Sequence, residues 1–183
     1  SMANVVNASA SERISNLFSL SSRPDFIAIE PGCSLVDMYD SKAKQLMSTN
    51  KVFTNTFDDI RHFLDIAASE GIMPYLGSFN QSWTRAILAL ADMGWIKGKL
   101  PLLFVTGGPN FIAAHPATLA GLKSHLEVLP KDHQFEWFVC CHGGDLFALA
   151  EEAILSGGHV SIGLGDHPYS KMGQPSNADL VRK

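Results

Sequence analysis

The chain has 183 residues, is 46% hydrophobic and 17% charged, and carries a net charge of −4 with a pI near 5.9. That length and apolar content suffice for one sizeable core, and an acidic balance with scattered Lys and Arg excludes a basic nucleic-acid footprint. No apolar run approaches the roughly 20 residues that span a bilayer, and three cysteines, two of them adjacent, do not make a disulfide framework. With no charged-then-apolar leader at the N-terminus, a reduced cytoplasmic setting is expected, without nucleic-acid or membrane partners.

Ser1-Met2 reads as a tag remnant and stays outside the fold argument. Short runs rich in Val, Ile and Phe, often bounded by Gly, Asn or Pro, predict strands at Asn4–Asn7, Asp25–Glu30, Lys51–Asn55, Met73–Phe79, Leu102–Gly107, Glu136–Cys141 and Val160–Leu164. Leu102-Leu103-Phe104-Val105 is apolar on both faces of the two-residue alternation, the pattern of a strand buried in a parallel sheet. Ser19-Leu20-Ser21-Ser22 reads as a loop rather than a linker. Helices are predicted between the strands. Phe57, Ile60, Phe63, Leu64 and Ala67 share one helical face, as do Trp83, Ala86, Ile87, Leu90 and Ala91, with Asn80 or Ser82 as N-cap. Thr118–Val128 and Asp145–Leu155 follow, the latter stopped by Ser156-Gly157-Gly158. Alternating strands and helices indicate parallel βα units in one domain over 1–183. No Gly-x-Gly-x-x-Gly follows a strand, so a dinucleotide-binding sheet has no motif support.

In parallel barrels the reactive residues collect at the C-terminal ends of strands. Those positions here hold Asn7, Ser9, Glu30, Cys33, Asn55, Ser78, Asn80, Cys141, His142, Asp166 and His167. Cys140-Cys141-His142 invites a zinc reading, but adjacent strand residues point to opposite faces, which favours small buried thiols and a capping histidine. Asp166-His167 could act as acid, base or ligand, although Asp before Pro168 also suits a plain turn. His62, His125 and His133 read as surface residues, His115 as a helix-start cap, and His159 as locally hydrogen-bonded. Gly107-Gly108-Pro109-Asn110 could offer N–H groups to an anion or form an ordinary βα turn.

The stretch Gly157-Gly158-His159-Val160-Ser161-Ile162-Gly163-Leu164-Gly165-Asp166-His167-Pro168-Tyr169, with Gly173 and Ser176-Asn177-Ala178-Asp179-Leu180-Val181 behind it, resembles a signature of the β-keto acid cleavage enzymes (3-keto-5-aminohexanoate cleavage enzyme-like). Val5-Val6-Asn7-Ala8-Ser9, Pro24–Gly32, Gly71-Ile72-Met73-Pro74 and Trp137 fall into register with other segments of that family. The resemblance implies a (β/α)8 TIM barrel, assembled as a homo-oligomer, of which this chain lacks the first two βα units. It implies transfer chemistry on a β-keto acid and acetyl-CoA, giving acetoacetate and a new acyl-CoA, with a zinc ion polarising the keto acid.

Carried over position by position, Asp166 matches the family's catalytic aspartate and Ser9 its serine. Asn7, Ser161, Gly107 and Gly108 are the candidate substrate-binding positions. Gly165 stands where the family has its metal-binding Glu, Ser161 where it has an Arg, and Tyr75 where Pro-Glu is expected. No His-x-His occurs, so no zinc site is expected in this chain, with His142 and His167 the residues that could supply substitute ligands. Three readings follow: a divergent member with impaired or no family activity, an incomplete part of an active enzyme, or an unrelated lyase or hydrolase using Asp166, His167 and His142. A small β-keto acid or acyl-CoA is the expected ligand.

Overall fold

The computed structural model describes residues 8–19, 22–132 and 134–183. The expected strand Asn4–Asn7, the candidate Asn7, the tag residues and His133 lie outside them. In chain order the elements are α1 (Ala10–Ile14), a 3₁₀ turn (Ser15–Ser19), β1 (Phe26–Ile29), β2 (Cys33–Leu35), β3 (Tyr39–Asp40), β4 (Gln45–Leu46) and β5 (Val52–Thr54). They continue with α2 (Phe57–Glu70), β6 (Met73–Ser78), α3 (Gln81–Asp92), β7 (Leu100–Gly107), β8 (His115–Pro116) and α4 (Leu119–Leu126). β9 (Phe135–His142), α5 (Phe147–Leu155), β10 (His159–Val160), a second 3₁₀ turn (Ser170–Met172) and α6 (Asn177–Arg182) complete the chain.

The central sheet has the order β1-β6-β7-β9-β10, all parallel, with the short β8 added against the end of β7. It is a mixed α/β fold of the partial TIM-barrel kind, and among the described residues the barrel does not close and β1 and β10 have no further partner strand. Two sequence expectations are corrected. Lys51–Asn55 does form a strand, but β5 pairs antiparallel with β2 in a separate ribbon. β-propensity specifies extended backbone, not the sheet that receives it. Val160–Leu164 shrinks to His159–Val160, because an edge strand has one neighbour to pair with and Gly163 turns the chain. Ser161 keeps one last sheet bond, its N–H to Val139 O at 2.9 Å.

Side-chain alternation divides the sheet into two faces. Ile27, Ile29, Leu76, Leu102, Phe104, Trp137, Val139 and Cys141 join Ile60, Phe63, Ile87, Leu90, Leu122 and Leu149 of the helices in one buried core. Their chain neighbours Ala28, Tyr75, Leu103, Phe138 and Ser161 are only half-buried, so the opposite face stays open. The helices start and stop where local chemistry dictates. Thr56 and Asp59 form a capping box on α2, which ends at Gly71 in a left-handed conformation (φ 66°) that a side chain would strain. Asn80 caps α3 by accepting from the N–H groups of Ser82 and Trp83. Phe57, expected on the buried face of α2, sits in its first turn and is 58% exposed.

His125 and His115 also depart from expectation. His125 is fully buried rather than on the surface, with its ring stacked on Phe104 at 4.5 Å and Nδ1 3.2 Å from Thr84 Oγ1. Thr84 in turn meets Ser78 Oγ at 2.9 Å. Burial, and then the neighbouring His115, pushes the His125 pKa down to about 3, so the ring is neutral. His115 belongs to β8, and the cap of α4 is Thr118.

Candidate functional site

The C-terminal ends of β1, β6, β7, β9 and β10 open on the same side of the sheet, as parallel pairing requires. Glu30 follows β1 with its side chain over Gly77, where a Cβ would lie 2.8 Å from Glu30 Cγ. The Glu30 carbonyl accepts from Asn55 Nδ2 at 2.7 Å. Asn55 Oδ1 accepts from Arg13, whose guanidinium pairs with Asp59 at 3.0 Å. This chain of contacts ties α1 and α2 to the end of β1 and gives Asn55 a structural task. Ser78 is equally committed, donating to Asn80 O at 2.9 Å. Cys33 is exposed on the β2–β5 ribbon.

Ser9 caps α1. Its hydroxyl donates to Glu12 Oε2 at 2.7 Å and accepts from the Glu12 N–H at 3.2 Å. Gly107 and Gly108 are accounted for by packing: a Cβ on Gly108 would lie 2.1 Å from Gly143 O, and one on Gly107 2.3 Å from Phe111 O. The turns after β7 and β9 touch backbone to backbone there, and Gly108 N–H donates to His142 O at 2.9 Å. These glycines still line a cavity of about 490 Å³ with Thr118, Gly144 and Asp145.

The reactive groups converge around the end of β9. His142 Nδ1 is 3.7 Å from Asp166 Oδ1, with both side chains partly exposed. The turn expected at Asp166 is present, with its N–H and that of His167 both donating to Gly163 O. The turn therefore presents the carboxylate rather than competing with it. Asp166 O accepts from Gly143 N–H at 2.9 Å, and Asn177 Oδ1 accepts from Leu164 N–H at 2.8 Å. Tyr169 is 4% exposed and its hydroxyl accepts from Leu146 N–H at 3.2 Å, locking the loop to the start of α5. Asn177 of the signature thus holds the Asp166 loop, while Ser176 caps α6. His167 does not join the pair: its ring packs edge-on against Tyr169 at 4.8 Å and lines another cavity.

Along the open face behind His142 lie Cys140, Ser161 and Tyr75. Burial pushes the Tyr75 phenol up to about 12, helped by the Cys140 thiol and the Asp166 carboxylate and opposed by a hydrogen bond with Ser161. Burial also pushes the Cys140 thiol well up, with Asp166 adding to it. Cys140 and Cys141 are both buried on opposite faces, as the alternation requires. Tyr75 was legible only as a missing carboxylate. The alternation along β6, which sets it on the face opposite Leu76, was the available signal.

The profile of the beta-keto acid cleavage enzyme family matches residues 1–183. The chain belongs to that family. It is 32% identical over 136 residues to the 3-keto-5-aminohexanoate cleavage enzyme of Acetoanaerobium sticklandii, covering 73% of this chain and 48% of that protein. To the enzyme of the same name from Fusobacterium nucleatum it is 27% identical over 136 residues, covering 73% and 47%. To a 3,5-dioxohexanoate:acetyl-CoA acetone transferase of Paraburkholderia graminis it is 29% identical over 149 residues, covering 79% and 47%. The matches span about half the length of these relatives.

A structural or catalytic zinc site needs about three donors, and the described residues around Asp166 bring two together. Among the described residues no group of three His, Cys, Asp or Glu side chains could hold an ion. Asp166 and His142 supply two, and Gly165 has no side chain where a third is expected. The backbone at Gly165 would accept one: its φ is not left-handed and a Cβ would meet nothing within 4 Å.

Proposed function

We propose that this chain is a divergent beta-keto acid cleavage enzyme that binds a small β-keto acid or acyl-CoA at the ends of β9 and β10, with Asp166 as its proton-handling group. The observation that carries the reading is the 3.7 Å approach of Asp166 to His142 at the mouth of a parallel sheet. A carboxylate acceptor beside an imidazole gives the two partners that general acid–base work on a carbonyl compound requires. At that separation a small shift on binding closes the direct bond, and a ligand hydroxyl beside the pair can reach either partner. Backbone bonds from Gly143 and the Tyr169 and Asn177 anchors keep the carboxylate in place.

Turnover is expected to be weak. Ser161 brings no fixed cation and Gly165 no carboxylate, so charge developing on the substrate is stabilised by fewer groups. The test is acetoacetate release from 3-keto-5-aminohexanoate and acetyl-CoA with zinc supplied. A rate at least roughly 100-fold below that of the Acetoanaerobium sticklandii enzyme, equivalent to about 2.7 kcal/mol of lost transition-state stabilisation, is expected. Asp166→Asn is expected to remove what remains. Equal rates would overturn the divergence, and an indifferent Asp166→Asn would overturn the assignment of the proton-handling group.

A second reading is favoured by the sheet edges at β1 and β10 that stay open among the described residues, together with the half-length match to the relatives. Here the chain is one part of an active enzyme, a homo-oligomer or an assembly with further βα units that cover those edges. Unpaired edge strands favour completion by more strands. A monodisperse monomer by sedimentation, with slow amide exchange at the outer N–H groups of β1 and β10, would contradict it.

A further inference from the structure

Beside the Asp166–His142 pair lies a cavity of about 490 Å³ bounded by Gly143, Asp145, Phe147, His167, Lys171 and Lys183. Gly143 and His167 are the chain neighbours of His142 and Asp166, and the Gly143 N–H donates to Asp166 O at 2.9 Å. The cavity therefore opens next to the pair. Its aromatic walls are braced by Tyr169, which packs edge-on against His167 at 4.8 Å and against Phe147 at 5.4 Å. The Tyr169 hydroxyl is tied in turn to the start of α5.

The charges in this cavity run against those of the chain, whose net charge is −4. Lys171 stands on the second 3₁₀ turn, and Lys183, just past α6, holds its ammonium 5.2 Å from the centre of the Phe147 ring. The ion pairs of the described residues use Arg13, Arg23, Arg61, Lys99, Arg182 and two histidines, which leaves both lysines without a carboxylate. Asp145 supplies the one carboxylate among the lining residues, and its Oδ1 is drawn to the start of α5 by the Phe147 N–H at 2.9 Å. Two ammoniums without partners, beside fixed aromatic walls, suit a ligand that joins phosphate groups to a flat ring. A small β-keto acid has neither, and the nucleotide end of an acyl-CoA has both.

We propose that this cavity holds the phosphate-bearing end of an acyl-CoA, with Lys171 and Lys183 binding its phosphates while the thioester faces Asp166 and His142. The inference rests on the mouth being the ligand site, as set out above, and adds which ligand class it takes and where the anionic end lies.

The probes are acetyl-CoA, S-acetylpantetheine, which carries the same thioester without phosphates, and inorganic phosphate. Each is titrated into the 183-residue chain at neutral pH, with binding followed through amide chemical shifts. At low salt acetyl-CoA is expected to bind roughly 10-fold more tightly than S-acetylpantetheine, a gap that falls below about 3-fold in about 0.5 M sodium chloride. Lys171→Ala and Lys183→Ala are each expected to weaken acetyl-CoA about 3- to 5-fold and to leave S-acetylpantetheine unchanged, with Lys→Arg at either position restoring binding. The amide spectrum itself reports whether each variant is folded. Equal binding of the two thioesters at low salt, or a double alanine variant that leaves acetyl-CoA unaffected, would overturn the inference while leaving the mouth as the site. Inorganic phosphate binding as tightly as acetyl-CoA would make the cavity a free-phosphate site and overturn the assignment to acyl-CoA. If neither thioester shifts the amides of His142 and Asp166, the site assignment falls and takes the inference with it.

Discussion

The two faces of the parallel sheet differ although they are built from alternate residues of the same strands. On β9, Trp137, Val139 and Cys141 are buried among the helices, while Phe138 and His142 are turned to the open side. Trp137 contacts Phe104 and lies against Gly158, where any Cβ would collide with the indole. One residue later the environment is a half-exposed ring beside His159. The contrast teaches that stability and chemistry here are separated by a single step along the chain, so a one-residue slip of register would exchange them. Substitutions on the two faces should therefore give different readouts.

The largest effect is expected on the helix side. Phe104→Ala removes a ring with no exposed surface that contacts His125 and Trp137, and should cost about 3–5 kcal/mol in urea unfolding. A loss under about 1 kcal/mol would break the division of the sheet, since such a value belongs to surface positions. The pH dependence comes next and arises on the same side. His125 is neutral in the folded state, with its pKa lowered to about 3, and titrates near 6.5 when unfolded. Stability is therefore full above about pH 6.5 and falls as acid protonates the unfolded chain, by about 2 kcal/mol at pH 5. His125→Phe should flatten that slope in unfolding titrations at pH 7 and pH 5.

These predictions rest on features that were unequally legible in the sequence. β7 and β9 could be read because continuous apolar runs of that length identify strands buried in a parallel sheet. The Asn80 cap and the Gly157-Gly158 stop could be read because they depend on neighbours within a turn. The burial of His125 could not, since it is decided by Thr84, 41 residues away, and by Phe104 on another strand. The signature around Asp166 identified the family by its residues, but its anchoring by Tyr169 and Asn177 needed three dimensions.

Smaller effects belong to the mouth. Tyr169→Phe removes the acceptor for Leu146 N–H and should cost about 1 kcal/mol in the same unfolding assay. Because that bond holds the Asp166 loop, faster amide exchange is expected at Gly143, whose N–H donates to Asp166 O. The least destabilising change is Gly165→Glu, within about 0.5 kcal/mol, because the new side chain enters open space. It places a third donor next to Asp166 and beside His142, so isothermal titration with zinc chloride should show a stoichiometric site that the parent chain does not.

The most direct test of the account follows the backbone amides of the 183-residue chain during titration with acetyl-CoA. The account predicts shifts concentrated at His142, Gly143, Ser161, Asp166 and His167, with Leu102 and Phe104 unmoved. Shifts confined to the groove of Arg61, Asp65 and Trp95 at the other end of the strands, or none at all, would contradict it.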